Sequence, residues 1–480
     1  MTFFRKTLLY MPAGTLGPLI QLATIVVLTH WLAPADLGLY ALVVALQDLA
    51  QIATLSWWSQ YVLRYLDEHD PALRARQDRT EIGVIAMAGV AQALLVAGFT
   101  IALADGPVEP GLVLSAALAG IMRALVVHGS VRARAQQQIG LHAFAQMAAP
   151  SLSLGLSLVG FALFGANLTV AFLAMALGHL LAALPLGLKL DYRRIRGGID
   201  YPTLQRAFRY GVFTAMGAGL AWGSMQSMRF VTDLVFGAAA VGLIHVGWGI
   251  GQRIATQLSV LGTAALFPMA ASRARSEGIA AGVNQLLIGG PILLALLAPA
   301  TIGLAFVAEP VARLLTAPAY QEMTAAILPV AMLAGAVRAF RNHYLDELLQ
   351  LTDRSRLMTA LDGVEAVATV LLCGAGALLY GIQGALIGCL VAAMLATVLA
   401  FVLVARQHGP LLTGRAVFVT GAACLAMAAV LAALPKPDGL VGLIALCGLG
   451  GGTYLATYAL FEHRALQEWV RGSLARKRGG

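Results

Sequence analysis

Arginine and aspartate side chains occur inside long apolar runs of this sequence, where charge is costly to bury. Arg123, Arg229 and Arg253 each lie within a run of about 20 mostly apolar residues, and Asp48 lies within another. A charged side chain at membrane depth usually faces a cavity or a charged partner. Because arginine is permanently charged and its planar fork matches phosphate oxygens, these residues predict an electropositive cavity for an anionic head group such as a diphosphate.

Polar side chains are concentrated on the same apolar runs. Such groups hydrogen-bond sugar hydroxyls or stack on a sugar face, although packing between helices explains any single one of them better. The candidate cavity residues are Arg253, Arg229, Arg123, Asp48, Gln47, Trp222, Gln226, Asp233, His245, Trp248, Gln252 and Gln257. Arg229 and Asp233 are four residues apart on one helical face, so they can also neutralise each other.

The sequence gives little indication of catalytic or metal-binding chemistry. The sequence has no nucleophile beside a base, no pair of catalytic carboxylates and no metal-ligand spacing. We therefore expect no enzymatic activity and no cofactor.

Apolar runs of membrane-spanning length account for most of the chain. Of its 480 residues, 59% are hydrophobic and 11% are charged, whereas a soluble domain has about 25% charged residues. The predicted spans are 9–31, 37–57, 82–104, 111–129, 145–164, 168–190, 210–236, 239–268, 285–308, 324–345, 357–380, 383–405, 416–434 and 439–461. The sequence thus predicts an all-α integral membrane protein with about fourteen transmembrane helices.

The positions of the basic residues support this count and give an orientation. If Arg5 and Lys6 are cytoplasmic, all but six of the 32 Lys and Arg residues fall in the N-terminal segment, in alternate loops or in the C-terminal tail. Both termini are therefore predicted to be cytoplasmic. Arg313 and Lys436 fall in external loops, and Arg338 is expected to snorkel to the cytoplasmic surface. Topology explains the net charge of +9, so no nucleic-acid partner is expected.

The two halves of the sequence resemble each other at two places. Segment 34–53 aligns with 238–257 at an offset of 204, which places Gly38 on Gly242. A second alignment, at an offset of 215, places Arg123 on Arg338. Parallel repeats of this kind are a transporter architecture with a substrate cavity between the halves.

The repeats predict two pseudo-symmetric six-helix bundles and a C-terminal helix pair. The predicted N-terminal lobe is 1–190, and a basic cytoplasmic linker follows at 191–209. The C-terminal lobe is 210–405, and 406–480 holds the helix pair and a basic cytoplasmic tail.

The segment THWLAPADLGLYALVVALQDLAQ at 29–51 resembles the early signature segment of the polysaccharide transporter family, the Wzx-type oligosaccharide flippases. That signature has a leucine-rich span, then a Pro-containing turn with an acidic residue, then Gly-x-Tyr at the opening of the next span. The corresponding residues here are Leu32, Pro34, Asp36, Gly38 and Tyr40. The resemblance implies the fold of the MOP flippase superfamily, which also contains MATE and MurJ transporters. In that fold, spans one, two, seven and eight would line a central cavity.

The same resemblance implies a function. The chain would be a flippase that moves an undecaprenyl-diphosphate-linked oligosaccharide across the bacterial inner membrane by alternating access, for lipopolysaccharide or exopolysaccharide biosynthesis. Arg253 and Arg229 are the candidates for the diphosphate. Coupling to a H⁺ or Na⁺ gradient stays open. The expected partners are the lipid-linked glycan, membrane lipids and the polysaccharide polymerase or export machinery.

Several alternatives remain at this point. A MurJ-like lipid II flippase has the same mechanism and a different substrate. A MATE-type drug/cation antiporter is disfavoured because the mid-span charges are mainly arginines, whereas cations bind membrane carboxylates. A non-transporting scaffold and a membrane enzyme acting on lipid-linked sugars are further alternatives, and the short external loops weigh against the enzyme.

Overall fold

The computed structural model describes residues 3–66, 70–104, 106–190, 198–437 and 439–478, and secondary structure within these ranges is helical throughout. The helices are α1 (Phe3–Thr29), α2 (Pro34–Gln51), α3 (Trp57–Tyr65), α4 (Pro71–Leu103), α5 (Pro110–Ala135), α6 (Ile139–Phe164), α7 (Leu168–Lys189), α8 (Tyr201–Phe236), α9 (Ala238–Thr263), α10 (Leu266–Glu277), α11 (Ile279–Leu287), α12 (Gly289–Leu315), α13 (Pro318–Phe340), α14 (Asp346–Leu351), α15 (Ser355–His408), α16 (Gly414–Ala433) and α17 (Leu440–Arg478). The predicted all-α membrane fold is confirmed.

These helices form fourteen rods among the described residues. The π-helical turns Ile52–Ser56 and Arg341–Leu345 join α2 to α3 and α13 to α14, and α9–α10 and α11–α12 are also near-continuous. α15 counts as two rods, because non-helical backbone at Tyr380 and Gly381 divides it. The fourteen rods correspond to the fourteen predicted spans.

Length and composition alone identify eleven membrane-spanning helices among the described residues. α15 counts once by these criteria, and the described apolar part of α1 is the shorter segment Leu16–Thr29. α8 has 36 residues but carries a run of glycine, serine and glutamine that lowers its hydropathy. A helix whose polar face is covered by other helices does not need to be apolar all round.

The chain divides into two compact units. One comprises Met1–His245 with Thr369–Ile382, and the other comprises Val246–Ala368 with Gln383–Gly480. In the first unit, α6 and α5 pack on α7 through small side chains, and a methyl group on Gly178 of α7 would lie 2.4 Å from Ser153 of α6. In the second unit, α12 packs on α13, α16 and α17. Small residues at these contacts let membrane helices approach closely.

The predicted lobes 1–190 and 210–405 remain predictions. Residues 191–197 of the predicted basic linker lie outside the described residues, as do the side chains of 463–480 in the predicted basic tail.

Candidate functional site

An ion pair joins α2 to α5, near the middle of α5 and of the continuous rod Pro34–Tyr65 that includes α2. Asp48 lies fourteen residues from the start of α2 and Arg123 thirteen residues from the start of α5, or about 20 Å along each axis. Arg123 Nη2 lies 2.6 Å from Asp48 Oδ1, and Arg123 Nη1 donates to the carbonyl of Val44 at 3.4 Å. The two side chains are 26% and 36% exposed. A partly exposed charged pair at this depth requires a polar environment, because hydrocarbon does not solvate charge.

α8 lies along α2 and donates two hydrogen bonds to its backbone. Trp222 Nε1 donates to the carbonyl of Ala45 at 2.9 Å, and Arg229 Nη1 donates to the carbonyl of Ala41 at 3.4 Å. The two acceptors are one helical turn apart, so they lie on the same face of α2. With the ion pair described above, four of the predicted residues therefore meet around α2.

Two of the predicted glutamines hydrogen-bond to the backbone of a neighbouring helix. Gln47 is 2% exposed, and its Nε2 donates to the carbonyl of Ala116 at 2.9 Å. Gln252 Nε2 donates to the carbonyl of Ala331 at 3.2 Å. Amide side chains commonly hold membrane helices together in this way, so these contacts are those of packing residues.

The other predicted residues lie on α8 and α9. They are Gln226, Asp233 and His245 in the first unit and Trp248, Arg253 and Gln257 in the second. Trp248 is buried, and the other five are half-buried. Arg253 lies fifteen residues from the start of α9, or about 22 Å along its axis. Within the described part of the chain, no group of three or more His, Cys, Asp or Glu residues is arranged to hold a metal ion.

A buried ion network lies where the start of α4 meets the end of α5. Arg132 donates from Nη1 to Glu81 Oε2 at 2.5 Å and from Nη2 to Asp78 Oδ1 at 2.7 Å. His128 Nε2 donates to Glu81 Oε1 at 2.9 Å, and the Ser59 hydroxyl lies 2.9 Å from His128 Nδ1. The side chains of Glu81, His128 and Arg132 are at most 1% exposed. Both oxygens of Glu81 are thus engaged by cationic or polar donors within the protein.

A second ion network lies between α13 and α15 in the second unit. Arg338 Nε donates to Glu365 Oε1 at 2.5 Å, and Arg341 Nη1 lies 2.9 Å from Glu365 Oε2. Arg341 also pairs with Asp362. The prediction that Arg338 snorkels to the surface is wrong, because this side chain is only 8% exposed and is held by a buried carboxylate.

Both networks contain residues that the sequence reasoning did not assign to a site. The predicted fourth span ends at 129 and places Arg132 in a loop, but α5 continues to Ala135 and buries Arg132. The usable signal is spacing: acidic residues three apart, at 78 and 81 and again at 362 and 365, put two carboxylates on one helical face. Which arginines they meet is not visible in the sequence.

Comparisons with known proteins agree with this architecture. A family model described as polysaccharide biosynthesis protein matches residues 27–325. A search of curated proteins gives no match.

Several solved structures have the same fold. The chain is similar to the lipid II flippase MurJ in an inward closed conformation, with 10% identity, a TM-score of 0.78, and coverage of 96% of this chain and 100% of that chain. It is similar to the inward-facing conformation of a multidrug resistance MATE family transporter of the MOP superfamily, with 14% identity, a TM-score of 0.67, and coverage of 84% and 98%. A MOP superfamily transporter from Pyrococcus furiosus, described as having a binding pocket of reverse polarity, matches with 15% identity, a TM-score of 0.57, and coverage of 85% and 95%.

Identities this low establish the fold alone, and that fold is the one expected from the segment at 29–51. The family model extends over more than half of the sequence and includes α2, α5, α8 and α9, which carry the predicted residues. This multi-pass membrane chain therefore belongs to the polysaccharide biosynthesis protein family and has the fold of the MurJ and MATE transporters.

Proposed function

We propose that the chain is a lipid-linked oligosaccharide flippase. It moves an undecaprenyl-diphosphate-linked glycan repeat across the bacterial inner membrane by alternating access, for surface polysaccharide or exopolysaccharide biosynthesis. The observation that carries this proposal is the Asp48–Arg123 pair, which is charged and partly exposed about 20 Å along its helices. A polar environment at that depth suits passage of a charged, sugar-bearing head group. The family membership and the MOP fold support the class of substrate.

The arginines at membrane depth suit the charge of a diphosphate. We assign Arg253 and Arg229 to the phosphate oxygens, because a guanidinium stays charged and can bond two oxygens at once. Arg123 is partly balanced by Asp48 and is assigned to the polar lining of the pathway rather than to the phosphate. The predicted topology, with both termini cytoplasmic and two six-helix lobes, is part of this proposal.

A MurJ-like lipid II flippase is the second candidate. It is supported by the similarity to MurJ along 96% of the chain. The mechanism would be unchanged and the glycan would differ. An exporter of cationic drugs is less well supported, because the mid-span charges here are mainly arginines, which repel a cation.

Depletion of the protein in its native bacterium tests the substrate. We expect complete glycan repeats to accumulate on undecaprenyl diphosphate at the cytoplasmic face, one surface polysaccharide to be lost, and growth to continue. Cell lysis with accumulation of lipid II would favour the second candidate. Normal pools of both lipid-linked intermediates, together with raised sensitivity to cationic drugs, would contradict both flippase proposals.

Arg253→Ala tests the proposed phosphate contact. A hydrogen bond to a charged group contributes about 1.5–3 kcal/mol, so flipping should fall by roughly tenfold or more at normal abundance. Arg253→Lys retains the charge without the planar fork and should give an intermediate rate. Arg356→Ala, at an exposed position of α15, is the matched control and should flip normally. Normal flipping by Arg253→Ala would remove this residue from the site.

A further inference from the structure

The beginning of α9 crosses the beginning of α2 with almost no space between the two backbones. A methyl group placed on Gly38 would lie 1.8 Å from the carbonyl oxygen of Ala238, and one placed on Gly242 would lie 1.9 Å from the carbonyl oxygen of Pro34. Real side-chain carbons essentially never approach a neighbouring atom within 3.0 Å. Only glycine therefore fits at these two positions while the helices cross in this way.

The two halves of this contact are equivalent under the internal repeat. The offset of 204 that aligns 34–53 with 238–257 places Pro34 on Ala238 and Gly38 on Gly242. Gly38 approaches Ala238, and Gly242 approaches Pro34, which is the residue equivalent to Ala238. The crossing is therefore reciprocal, like a contact across a local two-fold axis.

α8 extends the contact along α2. It leads into α9 through Gly237, whose φ of 78° turns the chain between the two helices. Arg229 and Trp222 of α8 donate to the carbonyls of Ala41 and Ala45, which follow the crossing by about one and two turns. The hairpin of α8 and α9 thus contacts α2 over about three turns.

The crossing lies between the predicted external end of α2 and the Asp48–Arg123 pair. Gly38 precedes Asp48 by ten residues, or about 15 Å along the helix. At the crossing itself the backbones meet without an interlocking side chain from either glycine. Such a contact can separate and form again without a change of rotamer at these positions.

We propose that Gly38 and Gly242 are positioning residues of an external gate. Their crossing closes the external side of the Asp48–Arg123 pair, and the α8–α9 hairpin separates from α2 when the gate opens. This inference rests on the proposed transport function, in which the polar region opens to each side in turn.

Alanine at either glycine must push the two backbones apart in the closed state, whereas the open state accommodates the methyl group. Overpacking of this kind shifts a two-state equilibrium by roughly 5- to 150-fold. Gly38→Ala and Gly242→Ala should therefore each favour the open state. The double variant should add little to the larger single effect, because one separation relieves both contacts.

Ala45→Cys serves as the reporter, in a chain whose four native cysteines are replaced. Ala45 is completely buried, so its thiol should react slowly while the gate is closed. A charged, membrane-impermeant methanethiosulfonate reagent is added to intact cells, and the rate of thiol modification is measured. Each glycine variant should raise this rate, within the roughly 5- to 150-fold range given above.

Gly98→Ala is the matched control, because Gly98 lies within α4 with open space where its methyl group would be. It should leave the rate unchanged. Trp222→Phe is a second test that adds no bulk: it removes the hydrogen bond to the Ala45 carbonyl and should also raise the rate. It covers the case in which the glycine variants are poorly produced.

Unchanged rates in the glycine variants at normal abundance would overturn the gate. If neither glycine variant is produced and Trp222→Phe leaves the labelling rate unchanged, the crossing is static packing and the gate proposal is overturned. A rise seen only in inverted vesicles would overturn the external placement. The labelling does not require the glycan, so it tests the gate separately from the substrate. If the glycine variants raise the labelling rate but depletion of the protein leaves the lipid-linked glycan pools normal, the gate is retained and the proposed substrate is rejected.

Discussion

Removal of the Glu81 carboxylate should strongly destabilise the protein. Glu81 is completely buried and accepts hydrogen bonds from Arg132 at 2.5 Å and from His128 at 2.9 Å. In Glu81→Ala, the guanidinium of Arg132 stays buried and loses its shortest contact. Loss of one partner from a buried ion pair typically costs about 3–5 kcal/mol, because an uncompensated charge remains. Asp78 still lies 2.7 Å from Arg132, so we expect the lower end, about 3 kcal/mol.

A double variant separates burial of charge from loss of packing. Glu81→Leu with Arg132→Met replaces both charges by apolar side chains of similar size. Removal of both charges leaves no uncompensated guanidinium, and Asp78 keeps Arg74 as a partner at 3.1 Å, so the double variant should be clearly more stable than Glu81→Ala. Glu322→Ala, at an exposed position, is the control and should change stability by about 0.5 kcal/mol at most.

The assay is the temperature at which half of the detergent-solubilised protein loses its monodisperse peak in size-exclusion chromatography. Heating of large membrane proteins is often irreversible, so the variants are compared at one heating rate. A Glu81→Ala variant as stable as the parent would refute the assignment of this network to stability. A double variant no more stable than the single variant would refute uncompensated charge as the cause.

Two further predictions concern single hydrogen-bonding side chains. Asp200 caps the N-terminus of α8, where its Oδ2 accepts from the Thr203 amide at 3.1 Å and the Thr203 hydroxyl at 2.6 Å, and these bonds hold the pKa of the Asp200 carboxyl below its usual value. Asp200→Ala should lower stability by about 1 kcal/mol at neutral pH. The difference in stability from the parent should shrink below pH of about 4 and vanish as the pH falls through the lowered pKa of Asp200. A difference in melting temperature that does not change with pH would contradict this cause. Buried Tyr344 donates from its hydroxyl to the carbonyl of Leu411 at 2.9 Å, so Tyr344→Phe should cost about 1–2 kcal/mol in the same heating assay, while Tyr380→Phe, at a 77% exposed position, should have no measurable effect. Equal melting temperatures for the two tyrosine variants would argue against a role for that bond.

The membrane class and the number of helical rods could be predicted from the sequence because hydrocarbon imposes a local requirement. Each crossing needs about 20 mostly apolar residues in one continuous helix, and its length and composition are visible without knowledge of its neighbours. α8 shows the limit of this reasoning. The span at 210–236 was predicted from its run of mostly apolar residues and the alternation of basic loops supported the count, but the hydropathy of α8 is too low to identify it as membrane-spanning by composition alone.

The candidate site was predictable in its residue types but not in its pairings. Charge inside an apolar run marked Asp48 and Arg123 as needing a polar environment, since burial of charge is costly wherever the residue sits. Their partnership with each other, across 75 residues of sequence, is a property of how α2 packs on α5. Arg338 was expected at the surface, but the tertiary structure supplies a buried carboxylate from α15 instead.

The sequence by itself therefore determined that the chain lies in a lipid bilayer, where its helical rods are, and that Gly38 is equivalent to Gly242. Each of these follows from local composition or from comparison of one segment with another. Only the tertiary structure decided that those two glycines meet, that Arg132 is buried, and that Gln47 bonds to a backbone carbonyl. The physical reason is that the free energy of a buried polar or backbone contact depends on atoms from distant segments. Their positions are set only when all the helices have packed.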